Sequence, residues 1–305
     1  MTSKRAAVGL GVLAMALVGN SVAVSGLLGH GPLMTAQAVR YVVAAGLLTA
    51  GARVAGVRVR RPRGAEWLWL TGVAATGLVL FNMVVVRGTA HAEPAVIAVA
   101  VACVPVLLGV FGPLLQRARP TGAGLLAAVV VTVGGVLVEG SGRTDAAGIG
   151  WALVALACEA AFTLLAVPVL GRHGAIGVSV HSVWLGAVMF AVLGILTEGP
   201  AAAAELGPAQ WGAVAYLAVL VTAVAFVCWY SAVSRLGPGT AGVMTGVAPV
   251  AAAVGGMVIG GVIPGTLVWL GIAVVGLGLG IGLAGSLGAD RGRHAPLSPV
   301  GNVRE

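Results

Sequence analysis

Residues 64–113 read GAEWLWLTGVAATGLVLFNMVVVRGTAHAEPAVIAVAVACVPVLLGVFGP, and residues 208–257 read PAQWGAVAYLAVLVTAVAFVCWYSAVSRLGPGTAGVMTGVAPVAAAVGGM. Each stretch holds two apolar runs parted by a short break. A bilayer core about 30 Å thick needs roughly 20 apolar residues per helix, so each run is long enough to cross it. Outward from these stretches the same pattern fills the chain, at residues 6–28, 34–52, 66–86, 93–115, 121–139, 148–170, 177–196, 210–231, 240–262 and 266–287. Outer-membrane barrels show alternating segments of about ten residues, unlike these unbroken runs. The expected fold is an all-α membrane protein with ten transmembrane helices.

Composition excludes a water-soluble fold. Of 305 residues 59% are hydrophobic and 9% charged, and mean hydropathy is +1.06, too few charges to cover a wetted surface. A net charge of +8 is a first hint of nucleic-acid binding, but its distribution says otherwise. With the N-terminus inside, Lys4, Arg5, Arg53, Arg58, Arg60, Arg61, Arg63, Arg117, Arg119, Arg172, Arg235, Arg291, Arg293 and Arg304 fall on the cytoplasmic side, and only Arg87 and Arg143 fall outside. That is the positive-inside pattern, with both termini cytoplasmic in a plasma-membrane protein and no nucleic-acid partner. Residues 1–26 imitate a secretory signal, yet the topology closes only if they are kept as an uncleaved first helix. Cys103, Cys158 and Cys228 all lie in apolar runs and read as packing residues. There is no CxxC, metal-spaced His pair, phosphate loop or GxSxG elbow, so neither an enzyme nor a cofactor is expected.

The two opening stretches align without a gap at an offset of 144 residues. Trp67 meets Trp211, Pro94 meets Pro238, Pro105 meets Pro249, Val106 meets Val250 and Gly112 meets Gly256. Five crossings separate the copies, and an odd number reverses direction. The chain is expected to hold two inverted five-helix repeats, residues 1–143 and 144–287, before a disordered cytoplasmic tail at 288–305. Inverted repeats recur in secondary transporters, whose binding site lies between the halves near the midplane.

These residues resemble the EamA-like branch of the drug/metabolite transporter superfamily over nearly the whole chain. "QAVRYVVAAGLL" around Arg40 looks like the family's second helix, "FNMVVVRGTAHAEPAVIAVAVACVPV" (81–106) like its third and fourth, and "CWYSAVSRLGPGTAGVMTGVAPVAAAVGG" (228–256) like its eighth and ninth. The chain departs from the family where helices four and nine end, with "FGPLLQRARP" and "IGGVIPG" in place of Gly-Glu-Arg. The resemblance implies a cavity lined by helices one to four and six to nine, with helices five and ten outside it.

Glu159, near the middle of the sixth run, is the leading candidate for binding a proton or a cationic substrate. A charge there costs about 2.5 to 3.5 kcal/mol on insertion scales, so it must face protein or water, and a carboxyl in apolar surroundings is suited to exchanging a proton. Arg40 is its natural counter-charge, unless it snorkels to the interface. Asn20 and Asn82 can line a cavity or bond between helices. Trp184, Trp229 and Tyr230 could wall a planar or cationic ligand, and His181 is a minor candidate. Pro105 and Pro249 are expected to kink their helices and serve as gating points. The glycines of "GLGLGIGLAG", Gly276, Gly278, Gly280 and Gly282, form GxxxG frames suited to packing or to a homodimer contact.

The expected function is alternating-access transport of a small organic metabolite or drug, most simply export coupled to protons. Alternatives are a proton-independent facilitator or exchanger, or a non-transporting scaffold.

Overall fold

The computed structural model describes residues 4–26, 28, 31–88, 90–261 and 263–293. We number its helical runs α1 (Lys4–Gly26), α2 (Leu33–Val54), α3 (Glu66–Gly88), α4 (Pro94–Leu115), α5 (Gly122–Glu139), α6 (Ala146–Leu164), α7 (Val167–Thr197), α8 (Pro208–Leu236), α9 (Pro238–Val258) and α10 (Thr266–Arg293). The structure is all-helical, and nine runs among the described residues, α2 to α10, hold a stretch long and apolar enough to cross a membrane. Leu68, Val188, Ile195, Leu196 and Leu270 point out of the bundle, as lipid-facing side chains must.

Helix ends follow local chemistry. Thr121 and Asp145 cap α5 and α6 through side-chain oxygens that accept from Gly124 N and Gly148 N. Pro94, Pro208 and Pro238 open α4, α8 and α9, where a missing N–H costs nothing.

Two boundaries differ from the sequence reading. The sixth run ends at Leu164, with Pro168 starting the next helix, and α7 is bent at Gly174, whose φ of 65° admits glycine readily. The last helix continues through Arg293, so residues 288–293 are helical, while 294–305 lie outside the described residues.

Irregularities recur at the sequence offset. A π-helical segment occupies Ala74–Leu80 in α3, and another occupies Leu217–Val224 in α8; adding 144 to 74 and 80 gives 218 and 224. In α4 the α-helix is interrupted at Cys103 and resumes at Val104, with Pro105 in its first turn. In α9 a 3-10 turn at Met244–Gly246 precedes Val247, with Pro249 in the first turn that follows. Thr132 of α5 donates to the Ala102 carbonyl at 3.2 Å, satisfying backbone next to the first interruption.

Packing is also paired. α1 lies against α8 and α9, and α6 lies against α3 and α4; α2 meets α7, α4 meets α9, and α5 meets α10. Glycine lets the last pair touch backbone to backbone, because a Cβ on Gly134 would sit 2.7 Å from Val275 N and one on Gly271 would sit 2.7 Å from Gly134 O. Gly278 and Gly282 also face residues of α5, whereas Gly276 and Gly280 meet nothing within 4 Å.

Candidate functional site

Arg40 is buried, with 7% of its surface exposed. Its Nε donates to Thr222 Oγ1 (2.9 Å) in the π-helical part of α8, and its Nη1 donates to Gln37 Oε1 (3.2 Å), one turn back on α2. The guanidinium carbon stands 5.0 Å from the centre of the Tyr41 ring. Gln37 Nε2 donates to Asn82 Oδ1 (2.9 Å), and Asn82 Nδ2 donates to the Leu78 carbonyl (2.6 Å), with a longer contact to Tyr41 Oη (3.4 Å). The relay orients each amide: both oxygens face the cation side, and the chain ends on a backbone carbonyl in the π-helical part of α3. Arg40 is therefore solvated by neutral dipoles from α2 and α8, backed by α3.

Glu159 is the opposite case. It is half-buried on α6 and makes no hydrogen bond or ion pair among the described residues. Arg40 and Glu159 do not pair, which corrects the counter-charge expected from sequence; Arg40 has neutral partners instead. Phe162 and Thr163, one turn beyond Glu159, anchor α6 to α8: Trp229 Nε1 donates to Thr163 Oγ1 (3.0 Å) and Tyr230 Oη donates to the Phe162 carbonyl (3.2 Å). Both aromatic residues are buried, and Phe162, Phe226 and Tyr230 form a ring cluster with centroids 5.0 to 6.3 Å apart.

The other sequence candidates separate. Asn20 bonds the Ala16 carbonyl of its own helix (2.9 Å), and its side chain lies against Gly255 of α9. Trp184 is 42% exposed, apart from the buried pair Trp229 and Tyr230, so the three do not form one wall. His181 donates to the Arg60 carbonyl (2.9 Å) and stacks edge-on with His173, which ties it to the loop before α3. Pro105 and Pro249 are both buried.

Sequence reasoning missed two clasps. At one end Glu66, opening α3, accepts from Arg172 of α7 and from Arg63 N (2.8 Å), and lies 3.1 Å from Nε2 of the fully buried His173 side chain. At the other end Arg143 Nε donates to Glu93 (2.7 Å), and His91 Nδ1 lies 3.1 Å from Asp145, beside a short bridge between Ala92 and Thr144. The Arg143 guanidinium beside Glu93 holds that carboxyl below the usual range, and the Gly148 N–H, with His91, does the same for Asp145. Glu198, after α7, accepts from Met34 N and Thr35 N (both 2.8 Å) and so caps α2. No spacing rule joins loops this far apart in the chain. Gln37 was legible, as a polar residue three positions from Arg40 on the same helix face.

A family model described as the EamA-like transporter family matches residues 5–139 and 146–283. Among curated relatives, an uncharacterized transporter, YetK, of Bacillus subtilis (strain 168) is 25% identical over 79% of this chain and 76% of its own length. A probable terminal-alkyne amino-acid exporter of Streptantibioticus cattleyicolor is 26% identical over 67% of this chain; the match spans 65% of that relative's length. A solved crystal structure at 21% identity superposes with a TM-score of 0.79, covering 93% of this chain and all of its own, which establishes a shared fold.

Proposed function

This chain belongs to the EamA-like transporter family and is a membrane transporter, and we propose that it exports a small amino-acid-like metabolite by alternating access coupled to protons. The observation that carries the reading is Glu159, an acid half-buried in the bundle with no hydrogen-bond or salt-bridge partner among the described residues. Such a group can take up and release a proton without first breaking a bond. Export and the amino-acid class draw support from the relative named as an amino-acid exporter.

The architecture we propose is two inverted five-helix repeats spanning the plasma membrane ten times, with α1 as the first span and both termini cytoplasmic. Three observations support it. Helix irregularities recur 144 residues apart. The family match falls into two segments either side of residues 140–145. Both clasps and the cap on α2 join residues that the positive-inside assignment puts on one side: Glu66 with Arg172, Glu93 with Arg143, and Glu198 with Met34. Pro105 and Pro249 then flank the interruptions about which α4 and α9 would flex.

A screen of the purified protein for thermal stabilisation by amino acids, nucleobases and cationic drugs tests the class of cargo. Stabilisation by amino acids alone is expected. Stabilisation confined to nucleobases or cationic drugs would overturn the assignment.

A further inference from the structure

We propose that the Arg40 cluster is the subsite that holds the carboxylate of the cargo, and that the cargo is a small solute carrying one carboxylate. The proposal rests on the reading of the chain as a carrier.

A guanidinium carries five N–H donors in a planar fork. Two are engaged, Nε–H by Thr222 and one Nη1–H by Gln37. The others have no hydrogen-bond partner among the described residues. These are both N–H groups of Nη2 and the second on Nη1, and a guanidinium takes a carboxylate with two parallel bonds, one from each of two nitrogens.

Charge points the same way. Thr222, Gln37, Tyr41 and Asn82 are all neutral, so among the described residues a buried full charge is solvated by dipoles alone. A buried charge without a counter-ion is costly, and an arriving anion would remove that cost. The cluster supplies one cation and no second base, so it balances a monoanion. A phosphate or dicarboxylate would bring surplus negative charge into the same low-dielectric space.

The cluster is also held in aim. The relay from Gln37 through Asn82 to the Leu78 carbonyl fixes one partner of Arg40, and Thr222, buried in the π-helical turn of α8, fixes the other. A π-helical turn inside an α-helix is a frequent mark of a functional site, and here one supplies Thr222 and the other the terminal carbonyl. Lysine in place of Arg40 would keep the charge but lose the fork.

The test is ligand-induced thermal stabilisation of the purified full-length protein with valerate, L-norvaline and L-norvalinamide, the last matching norvaline in shape without a carboxylate. The proposal predicts saturable stabilisation by both acids below about 10 mM, where weak Kd values are read, and none by the amide. R40Q should abolish the response, and R40K should weaken it by about tenfold or more. Equal stabilisation by amide and acid, or none by either acid, overturns the proposal, as does a folded R40Q protein that responds like wild type. If R40Q does not fold, the acid and amide compared on wild type still decide. Acid binding without flux in proteoliposomes would remove the carrier reading and leave the subsite standing. Flux of a cargo that R40Q carries at the wild-type rate would do the reverse.

Discussion

Arg40 and Glu159 are both ionisable groups inside an apolar bundle, and they are treated in opposite ways. Arg40 is wrapped by Thr222, Gln37 and Tyr41, with Asn82 behind, so three helices position one cation. Glu159 has no such partner among the described residues, although the turn after it is pinned to α8 by Trp229 and Tyr230. Arginine stays charged at every physiological pH, so fixed dipoles suit it. A carboxyl surrounded by donors would be locked in its ionised form, so an acid that must exchange protons is better left without them. On the proposed function the two groups would take two jobs, a permanent charge that reads the cargo and a switchable one that couples transport to protons.

The largest effect is expected at Arg40. Arg40→Gln should abolish measurable uptake in proteoliposomes, and Arg40→Lys should leave only a small part of it; a fully active Lys variant would break the claim that a fork, and not merely a charge, is needed. Next comes Glu159→Gln, an isosteric change. Wild type is expected to release protons on binding cargo in weakly buffered detergent, read with an indicator dye, and the Gln variant is expected to release none. A smaller effect should follow from Glu66→Ala, which removes the acceptor that Arg172 and Arg63 N share and that His173 lies against. With that end loosened, Cys158 and Cys228, both buried, should react several-fold faster with a permeant maleimide.

The smallest change concerns the opposite clasp, and its sign follows from linkage. Glu93 and Asp145 titrate below their ordinary values of 4.5 and 3.8, so their contribution is present above those values and lost as pH falls through the lowered ones. The protection of the amides of residues 140–148, each rate taken relative to its intrinsic rate at that pH, should therefore be constant from about pH 5 upward and fall only in stronger acid. A loss of protection near neutrality would show that these carboxylates do not hold the clasp.

Much of the fold was legible because a bilayer enforces it. Every backbone group in hydrocarbon must be satisfied within its own helix, so apolar length alone located the helices to within a few residues in most cases. The exceptions arose where composition and backbone disagree: the sixth run reads as apolar through Leu170, but Pro168 and Gly174 break the chain differently. Arg40 and Glu159 were conspicuous as charges in apolar runs. Their relationship was not, because a counter-charge inferred from complementarity ignores depth and rotation. Thr222 and Trp229 lie two turns apart on α8, about 10 Å along its axis, and bind the regions of Arg40 and Glu159 respectively. Nor could spacing reveal the clasps, since Glu66 and Arg172 are 106 residues apart and meet only through the packing of α3 on α7.

The most direct test of proton-coupled transport is accumulation of a radiolabelled amino acid in proteoliposomes under an imposed pH gradient, wild type against Glu159→Gln. Wild type should concentrate the label above its external level only while the gradient lasts, and the variant should equilibrate it without concentrating it. Accumulation of equal size in both proteins would contradict the account.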